Sequence, residues 1–298
     1  MKQYYTPREL SDALDVSESS IKRWVDDGLL AATRTAGGHR RIAIAEAVRF
    51  LRSSGIAVSG PIRMFGGRVS VVSVDGTSPD ALGGQLLDAL QRDDGETSRS
   101  LLLGAFLGGW TIAALADGPI RLAMSAIGEL WSHSDQGIVI EHRAVDSILQ
   151  TLGQLRGLLP PPRADAPGAI GGTPAGDPYL LPSQLTAAAL AEVGFRDRNL
   201  GPDTPFAVLM DATRRYRARL VWLSISVPHG DDRRLRDDLL TLADDLAPLG
   251  ATLGFGGRHA PFVPPGSRAM RFAGIGELVA YARGLLVARA DAGAKAPA

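Results

Sequence analysis

The sequence predicts a multidomain chain, α at the front and α/β at the back: a winged helix-turn-helix, a four-helix bundle, then a doubly wound, Rossmann-like (flavodoxin-like) parallel sheet. Three observations predict it. The first sixty residues hold two short, capped, apolar-periodic segments followed by a glycine-tipped basic loop. Residues 79–159 keep a helical period with three breaks. Beyond Pro160-Pro161-Pro162, strand-like and helix-like segments alternate, the pattern of βα units.

Bulk composition bounds what such a chain can do. Its 298 residues have room for two domains, or three small ones, and 45% apolar with 21% charged residues is ordinary for a globular protein. Net charge is zero, so affinity for nucleic acid has to come from a local patch. Residues 1–63 hold ten Lys/Arg against seven Asp/Glu, a local excess of +3. Zero cysteines exclude disulfides and thiolate metal sites and fit a reducing compartment. No apolar run opens the chain, and the longest apolar stretch, Leu101 to Leu115, is broken by Gly104, Gly108, Gly109 and Thr111 and is too short to span a bilayer. The expectation is a cytoplasmic protein without a membrane partner.

The elements follow in order. Over residues 1–60, Thr6 caps a helix with Pro7 in its first position and Glu9 closing a capping box, and Leu10, Ala13 and Leu14 give it one apolar face. Asp15-Val16-Ser17 is a tight turn, and Ser17 caps a second helix with Ile21, Trp24 and Val25 in register. That second helix is the reading helix, with Ser19, Ser20, Lys22 and Arg23 on its outer side. Gly28 ends it, and Leu29-Leu30 are expected to turn back into the core. Gly37 and Gly38 form the tip of a hairpin whose flanks carry Arg34, His39, Arg40 and Arg41, a tip free to approach a phosphate backbone that arginines grip bidentately.

These residues resemble the MerR-type winged-helix family: Tyr5-Thr6, the Ile21-Lys22-Arg23-Trp24 stretch and the Gly37-Gly38-His39-Arg40-Arg41 wing match its pattern over about the first 55 residues. The resemblance implies a transcriptional regulator that binds a double-stranded DNA operator as a homo-oligomer.

Residues 61–78 read as a linker, in which the alternation of apolar residues and Ser over Val69 to Val74 reads as a strand or an extended segment. From 79 to 159, breaks near Gly95, at Asp117-Gly118-Pro119 and at Gln136-Gly137 imply four helices, most simply a bundle. Trp131 falls near the end of the third; Glu141 and His142 are expected to begin the fourth, where the helix N-terminus favours a carboxylate. Trp131 to His142 resembles the Trp-x9-Glu-His motif of the cobalamin-dependent photoreceptor regulators, the light-sensing branch of the same family. The resemblance implies a bundle that caps adenosylcobalamin, with the Trp shielding the adenosyl group and the Glu bonding its ribose.

Residues 160–167 read as a stiff proline-rich spacer, 168–290 as the α/β domain and 291–298 as a disordered tail. Strands are predicted at Gly168 to Thr173, Arg219 to Ser226 and Ala251 to Gly257. Helices are predicted at Pro182 to Val193, Asp203 to Tyr216, Asp231 to Leu249 and Ile275 to Leu286. A ligand crevice then lies at the strand carboxyl ends, beside Gly172 to Asp177, Ser224 to Ser226, and Gly256-Gly257. These loops resemble a cobalamin-binding domain, whose signatures are Asp-x-His-x-x-Gly, Ser-x-Leu or Ser-x-Thr, and Gly-Gly. Here Asp177 is kept, but Tyr179 stands for the axial histidine and Pro182 for the glycine. Three outcomes follow: cobalamin bound without a protein lower ligand, a different flat ligand such as another tetrapyrrole stacked on Tyr179, or a degenerate pocket filled by Tyr179.

No Gly-x-Ser-x-Gly elbow, His-Glu-x-x-His or P-loop occurs, and Asp231-Asp232 and Asp244-Asp245 read as solvated faces. The expectation is a ligand-sensing regulator and not an enzyme. A regulator with a ligand-free dimerisation module is the alternative, and a cobalamin-linked enzyme component the distant one.

Overall fold

The computed structural model describes residues 4–54, 60–64, 67–131 and 135–294. Two compact units make up the chain: Met1–Thr111 with Gly118–Pro160, and Ile112–Asp117 with Pro161–Ala298.

The first unit opens with β1 (Tyr4–Tyr5), α1 (Pro7–Leu14), α2 (Glu18–Asp26), β2 (Thr33–Arg34), β3 (Arg40–Ala43) and α3 (Ile44–Ser54). The three strands form one antiparallel sheet, ordered β1-β3-β2. Leu10, Ile21, Leu30, Ile42 and Phe50 fill the small core, with Trp24 tilted on Phe50 at 4.8 Å between ring centroids. Leu29 departs from expectation. Its neighbour Leu30 is fully buried, but Leu29 itself is 53% exposed, because the turn after α2 can direct only one of two adjacent side chains inward.

The segment read as a linker contains a hairpin, β4 (Gly60–Met64) paired antiparallel with β5 (Gly67–Val71). Pro61 argues against a central strand, but a two-stranded ribbon leaves one edge of each strand unpaired and tolerates it. The hairpin lies against both neighbours, β4 on α1 and β5 on α5 (Gly95–Leu107). At that contact Gly104 is required: a Cβ there would stand 1.9 Å from the Val72 carbonyl oxygen. Arg52 from α3 lays its guanidinium over the Phe106 ring at 3.9 Å, so the helix-turn-helix and the helices pack continuously within this unit.

Those helices are α4 (Pro79–Gln91), α5, then beyond a short α6 (Ile112–Leu115) and a π turn over Ala116–Ile120, α7 (Arg121–Trp131) and α8 (Asp135–Leu158). Four long helices are present as expected, but Gln136 and Gly137 lie inside α8 and do not break it, one further break falls at Gly108-Gly109, and the six residues 112–117 are given over to the second unit. Ser78 and Asp94 cap α4 and α5 through the amides of Ala81 and Thr97. Leu86, Leu102, Phe106, Ile127 and Ile148 are among their buried side chains.

The second unit runs β6 (Gly168–Gly172), α9 (Leu181–Glu192), β7 (Arg196–Asn199), α10 (Phe206–Tyr216), β8 (Ala218–Ser224), α11 (Asp232–Leu246), β9 (Thr252–Gly256), β10 (Ala269–Phe272) and α12 (Ile275–Ala294). All five strands are parallel, in the order β10-β9-β8-β6-β7. Counted from β6, this is the 2-1-3-4-5 order of a flavodoxin-like doubly wound sheet, so the fold class matches the sequence reading. Two strands escaped that reading. β7 spells Arg-Asp-Arg-Asn and β10 Ala-Met-Arg-Phe; both are edge strands, where one side faces water and the apolar run that marks a central strand is absent. The closing helix also runs to Ala294, through the first half of what was expected to be a disordered tail; residues 295–298 lie outside the described residues.

Segment 112–117 is held by helix-end bonds. Glu192 accepts the Ile112 amide at 2.7 Å, and Asp117 accepts the amides of Ile275 and Gly276 at 2.9 and 2.7 Å, capping the start of α12 from 158 residues away.

Candidate nucleic-acid interface and switch-point crevice

The N-terminal surface is built by local capping. Thr6 and Glu9 exchange bonds as a capping box, with Glu9 N to Thr6 Oγ1 at 3.2 Å and Thr6 N to Glu9 Oε2 at 2.8 Å. Asp15, at φ 53°, takes the left-handed conformation that ends α1 and turns the chain to α2. Ser17 Oγ accepts the Ser20 amide at 3.1 Å and lies 2.8 and 2.9 Å from the hydroxyls of Ser19 and Ser20, so both serines are engaged at the helix start. Burial, and secondarily the charge of Glu9, pushes the Tyr5 phenol above its ordinary value.

The cations of α2 and the wing differ in their engagement. Lys22 pairs with Glu18 at 2.9 Å one turn back, whereas Arg23 is exposed with no ion pair among the described residues. Arg40 is bound by Asp26, so the wing strand is tied to the end of the reading helix. Arg34 and Arg41 carry no ion pair among the described residues, and Arg34 stands opposite Arg40 in the β2–β3 register. Gly38, at φ 78°, closes the wing tip, where its amide donates to Thr35 O at 2.8 Å and a side chain at that position would meet nothing. His39 is exposed, its amide bonded to Thr35 Oγ1 at 3.2 Å.

Two carboxylates that the sequence pattern does not mark hold this surface in place. Glu46 of α3 accepts the Ala31 amide at 2.7 Å and pairs with Arg49, whose guanidinium also donates to Leu29 O at 3.1 Å. Bonding to Arg49 first, and to the Ala31 amide, holds the Glu46 carboxyl below its ordinary value against the opposing effect of its own burial. Asp26 and Glu46 lie 14 and 15 residues from the partners they fix, a separation with no periodic signature.

In the helical region, Trp131 is the last residue of α7. Glu141 and His142 do not start α8: the helix begins at Asp135, placing Glu141 in its second turn, beyond reach of the terminal amides. Glu141 is half-buried and His142 exposed, and Ile138 and Val139 beside them are 37% and 58% exposed.

The crevice of the α/β unit lies where strand order reverses, between the carboxyl ends of β6 and β8. Thr173, fully buried, accepts the Asp203 amide through Oγ1 at 3.1 Å and donates to the Asp177 carbonyl at 2.6 Å. Asp177, also fully buried, accepts the Ser226 amide on Oδ2 at 2.5 Å and the Tyr179 amide on Oδ1 at 3.1 Å. Both carboxylate oxygens are therefore committed to backbone of the two loops flanking the switch point. Tyr179 and Ser226 are half-buried, and Ser224 is buried at the end of β8.

Gly256 and Gly257 were expected to admit a ligand to the backbone. What they admit is the protein itself. At Gly257, φ 118°, a Cβ would lie 2.3 Å from the Ile225 carbonyl oxygen, and at Gly256 it would lie 2.8 Å from that of Phe272. Two strands further in, on β6, Gly171 makes room for the Trp222 indole, which a Cβ would approach to 2.2 Å; Trp222 is 1% exposed and its Nε1 has no hydrogen-bond partner among the described residues.

The geometry defines a winged helix-turn-helix segment in one unit and a flavodoxin-like fold in the other. Residues 6–42 match the family model described as MerR family regulatory protein, which spans α1, α2, β2 and most of β3. No curated protein matches the chain. Among solved structures, it is similar to a monomethylamine corrinoid protein of Methanosarcina barkeri (18% identity, 67% of this chain and 96% of that one, TM-score 0.49). It is also similar to a cobalamin-binding protein of Desulfitobacterium hafniense DCB-2 (16%, 68% and 97%, TM-score 0.34). A third is a methanol:cobalamin methyltransferase complex of Methanosarcina barkeri (14%, 70% and 80%, TM-score 0.34). Likenesses this distant say nothing of this chain's ligand, and the fold assignment stands on the strand order itself. No helix among the described residues is long and apolar enough to cross a membrane.

Proposed function

We propose that the chain is a DNA-binding transcriptional regulator and not an enzyme. The observation that carries this is the pair of capped helices, the second of which carries exposed Arg23 and is tied through Asp26 and Arg40 to a wing bearing Arg34 and Arg41, inside the segment that matches the MerR family model. Phosphate contacts from these cations fix the protein on a duplex, and Ser19, Ser20, Lys22 and Arg23 occupy the reading position. Anisotropy of a labelled duplex tests it: the full chain binds with affinity that falls with salt, and Arg40→Ala with Arg41→Ala weakens binding and flattens that fall. Binding unchanged by both salt and substitution refutes the assignment.

A histidine-ligated corrinoid does not fit the crevice. Tyr179 stands at the ligand position, and a phenol is a poor metal ligand until it loses its proton, near pH ~10 when unperturbed. Asp177, which would orient a histidine, already bonds two backbone amides. The reading that follows is a regulator responding to a small ligand held by packing and hydrogen bonds, a tetrapyrrole being the class the Trp131, Glu141 and His142 motif suggests. It is favoured by the exposed Ile138 and Val139 beside Glu141. A ligand-free assembly module is the second reading, favoured by the self-packing of Gly257 on Ile225. Absorption spectra of the chain purified in the dark, with and without adenosylcobalamin and before and after illumination, separate them. Retained tetrapyrrole bands support the first, light-dependent change adds photoreception, and a colourless protein that ignores the cofactor leaves the second.

A further inference from the structure

The amino-end edge of the parallel sheet, opposite the crevice, is strongly basic. Residues 196–219 hold six arginines (Arg196, Arg198, Arg214, Arg215, Arg217 and Arg219) against three aspartates. That is an excess of +3 within 24 residues, equal to the excess the first 63 residues carry. Topology gathers them. Arg196 opens β7 and Ala218 opens β8, and both pair with Gly168 at the start of β6, so Arg196, Arg217 and Arg219 share one end of the sheet. Arg198 and Arg215 converge on Tyr216, with guanidinium carbons 4.0 and 5.5 Å from the ring centroid, and the ring remains 39% exposed.

Helix polarity accounts for Arg214 and Arg215 in the last turn of α10 but not for Arg196 or Arg198 on the neighbouring strand. Arg217 sits at φ 50°, the left-handed cap position that glycine fills at least cost. Elsewhere in this unit Arg163, Arg236 and Arg268 pair with aspartates. The guanidinium groups of Arg198, Arg215 and Arg217 have no ion pair or hydrogen bond among the described residues, although the first two crowd one aromatic ring. Planar, exposed, mutually repelling guanidinium groups suit a polyanion with spaced charges.

We propose that this edge of the α/β unit binds the phosphate backbone of duplex DNA, adding sequence-independent contacts to those of the helix-turn-helix. The inference rests on the DNA-binding reading above. Its test uses the full chain, a labelled duplex of random sequence and anisotropy titrations between 50 and 200 mM NaCl. Arg198→Gln with Arg215→Gln and Arg217→Gln removes three contacts, each worth about 0.9 in the slope of log affinity against log salt. Wild-type affinity should then fall about forty-fold more steeply than the variant's over that range. The corresponding triple Lys variant keeps the charge and keeps the slope; equal loss in both variants marks a fold defect and overturns the assignment. An unchanged slope in the Gln variant overturns it too, and a change in oligomeric state by light scattering would then identify a protein surface as the occupant. If Arg40→Ala with Arg41→Ala flattens the slope while the Gln variant does not, this inference falls alone. If the full chain shows no salt-dependent binding, both fall.

Discussion

Replacing Asp177 by alanine separates two accounts of one carboxylate. If Asp177 serves the fold, its loss leaves the Ser226 and Tyr179 amides without their acceptors, in a site where Asp177 itself has no exposure. Hydrogen bonds to a charged group are worth about 1.5–3 kcal/mol each, and an orphaned buried donor costs a similar amount. With the Tyr179 amide able to recover part of its loss from water, the expected destabilisation is about 3–4 kcal/mol. That is a large share of the roughly 5–15 kcal/mol that stabilises a domain. Asp177→Asn keeps one acceptor oxygen but turns an NH2 toward an amide donor, so about half that loss is expected. Hydrogen exchange read by mass spectrometry is the assay, because two units need not unfold as one transition. The segment 223–230 should lose protection in both variants while α4 and α5 keep theirs. Protection unchanged at Ser226, or a more stable ligand-free protein, would refute the structural role and mark Asp177 as a group held ready for a ligand.

Three further outcomes are expected. Glu46→Ala removes the bond to Ala31 and the Arg49 pair, costing about 1–2 kcal/mol in chemical denaturation of the first unit. Because the folded Glu46 carboxyl sits below its ordinary value of 4.5, the wild type's advantage should be complete above that pH and fade as pH falls through the lower folded value; an advantage that grows on acidification contradicts the assignment. Gly104→Ala drives a methyl against the Val72 carbonyl and should cost about 2–3 kcal/mol in thermal or urea unfolding, with a neutral result showing that β5 does not pack on α5 as described. Gly257→Ala combines the strain of a positive φ with the Ile225 contact and should raise exchange in the loops after β8 and β9, and unchanged exchange there would contradict the close approach of Ile225.

Legibility varied with the range of the interaction. The caps at Thr6 and Ser17 are local and were readable from residue type and spacing, as were the central strands β6, β8 and β9, whose small and branched apolar runs mark burial on both faces. The edge strands β7 and β10 were not, since an edge needs no apolar run. Of the hairpin, the alternation over Val69 to Val74 marks the β5 side, while Gly60 and Pro61 hide β4. Site residues divided likewise. Arg23, Arg41 and the Gly38 tip could be placed from the sequence, but that Arg40 is tied to Asp26, or that Asp177 closes on Ser226 across 49 residues, depends on contacts that tertiary folding alone creates. The glycines at 256 and 257 were rightly read as sites of close approach, yet nothing local tells whether the approaching atoms belong to a ligand or to Ile225 and Phe272.

The central claim is that the first unit reads duplex DNA, and selection of binding sites from a random duplex library by the full chain tests it most directly. Two reading helices in a symmetric oligomer should enrich an inverted repeat with half-sites about one helical turn apart, and Arg23→Ala with Arg41→Ala should abolish the enrichment. A library recovered with its sequence distribution unchanged, from a folded chain, would contradict it.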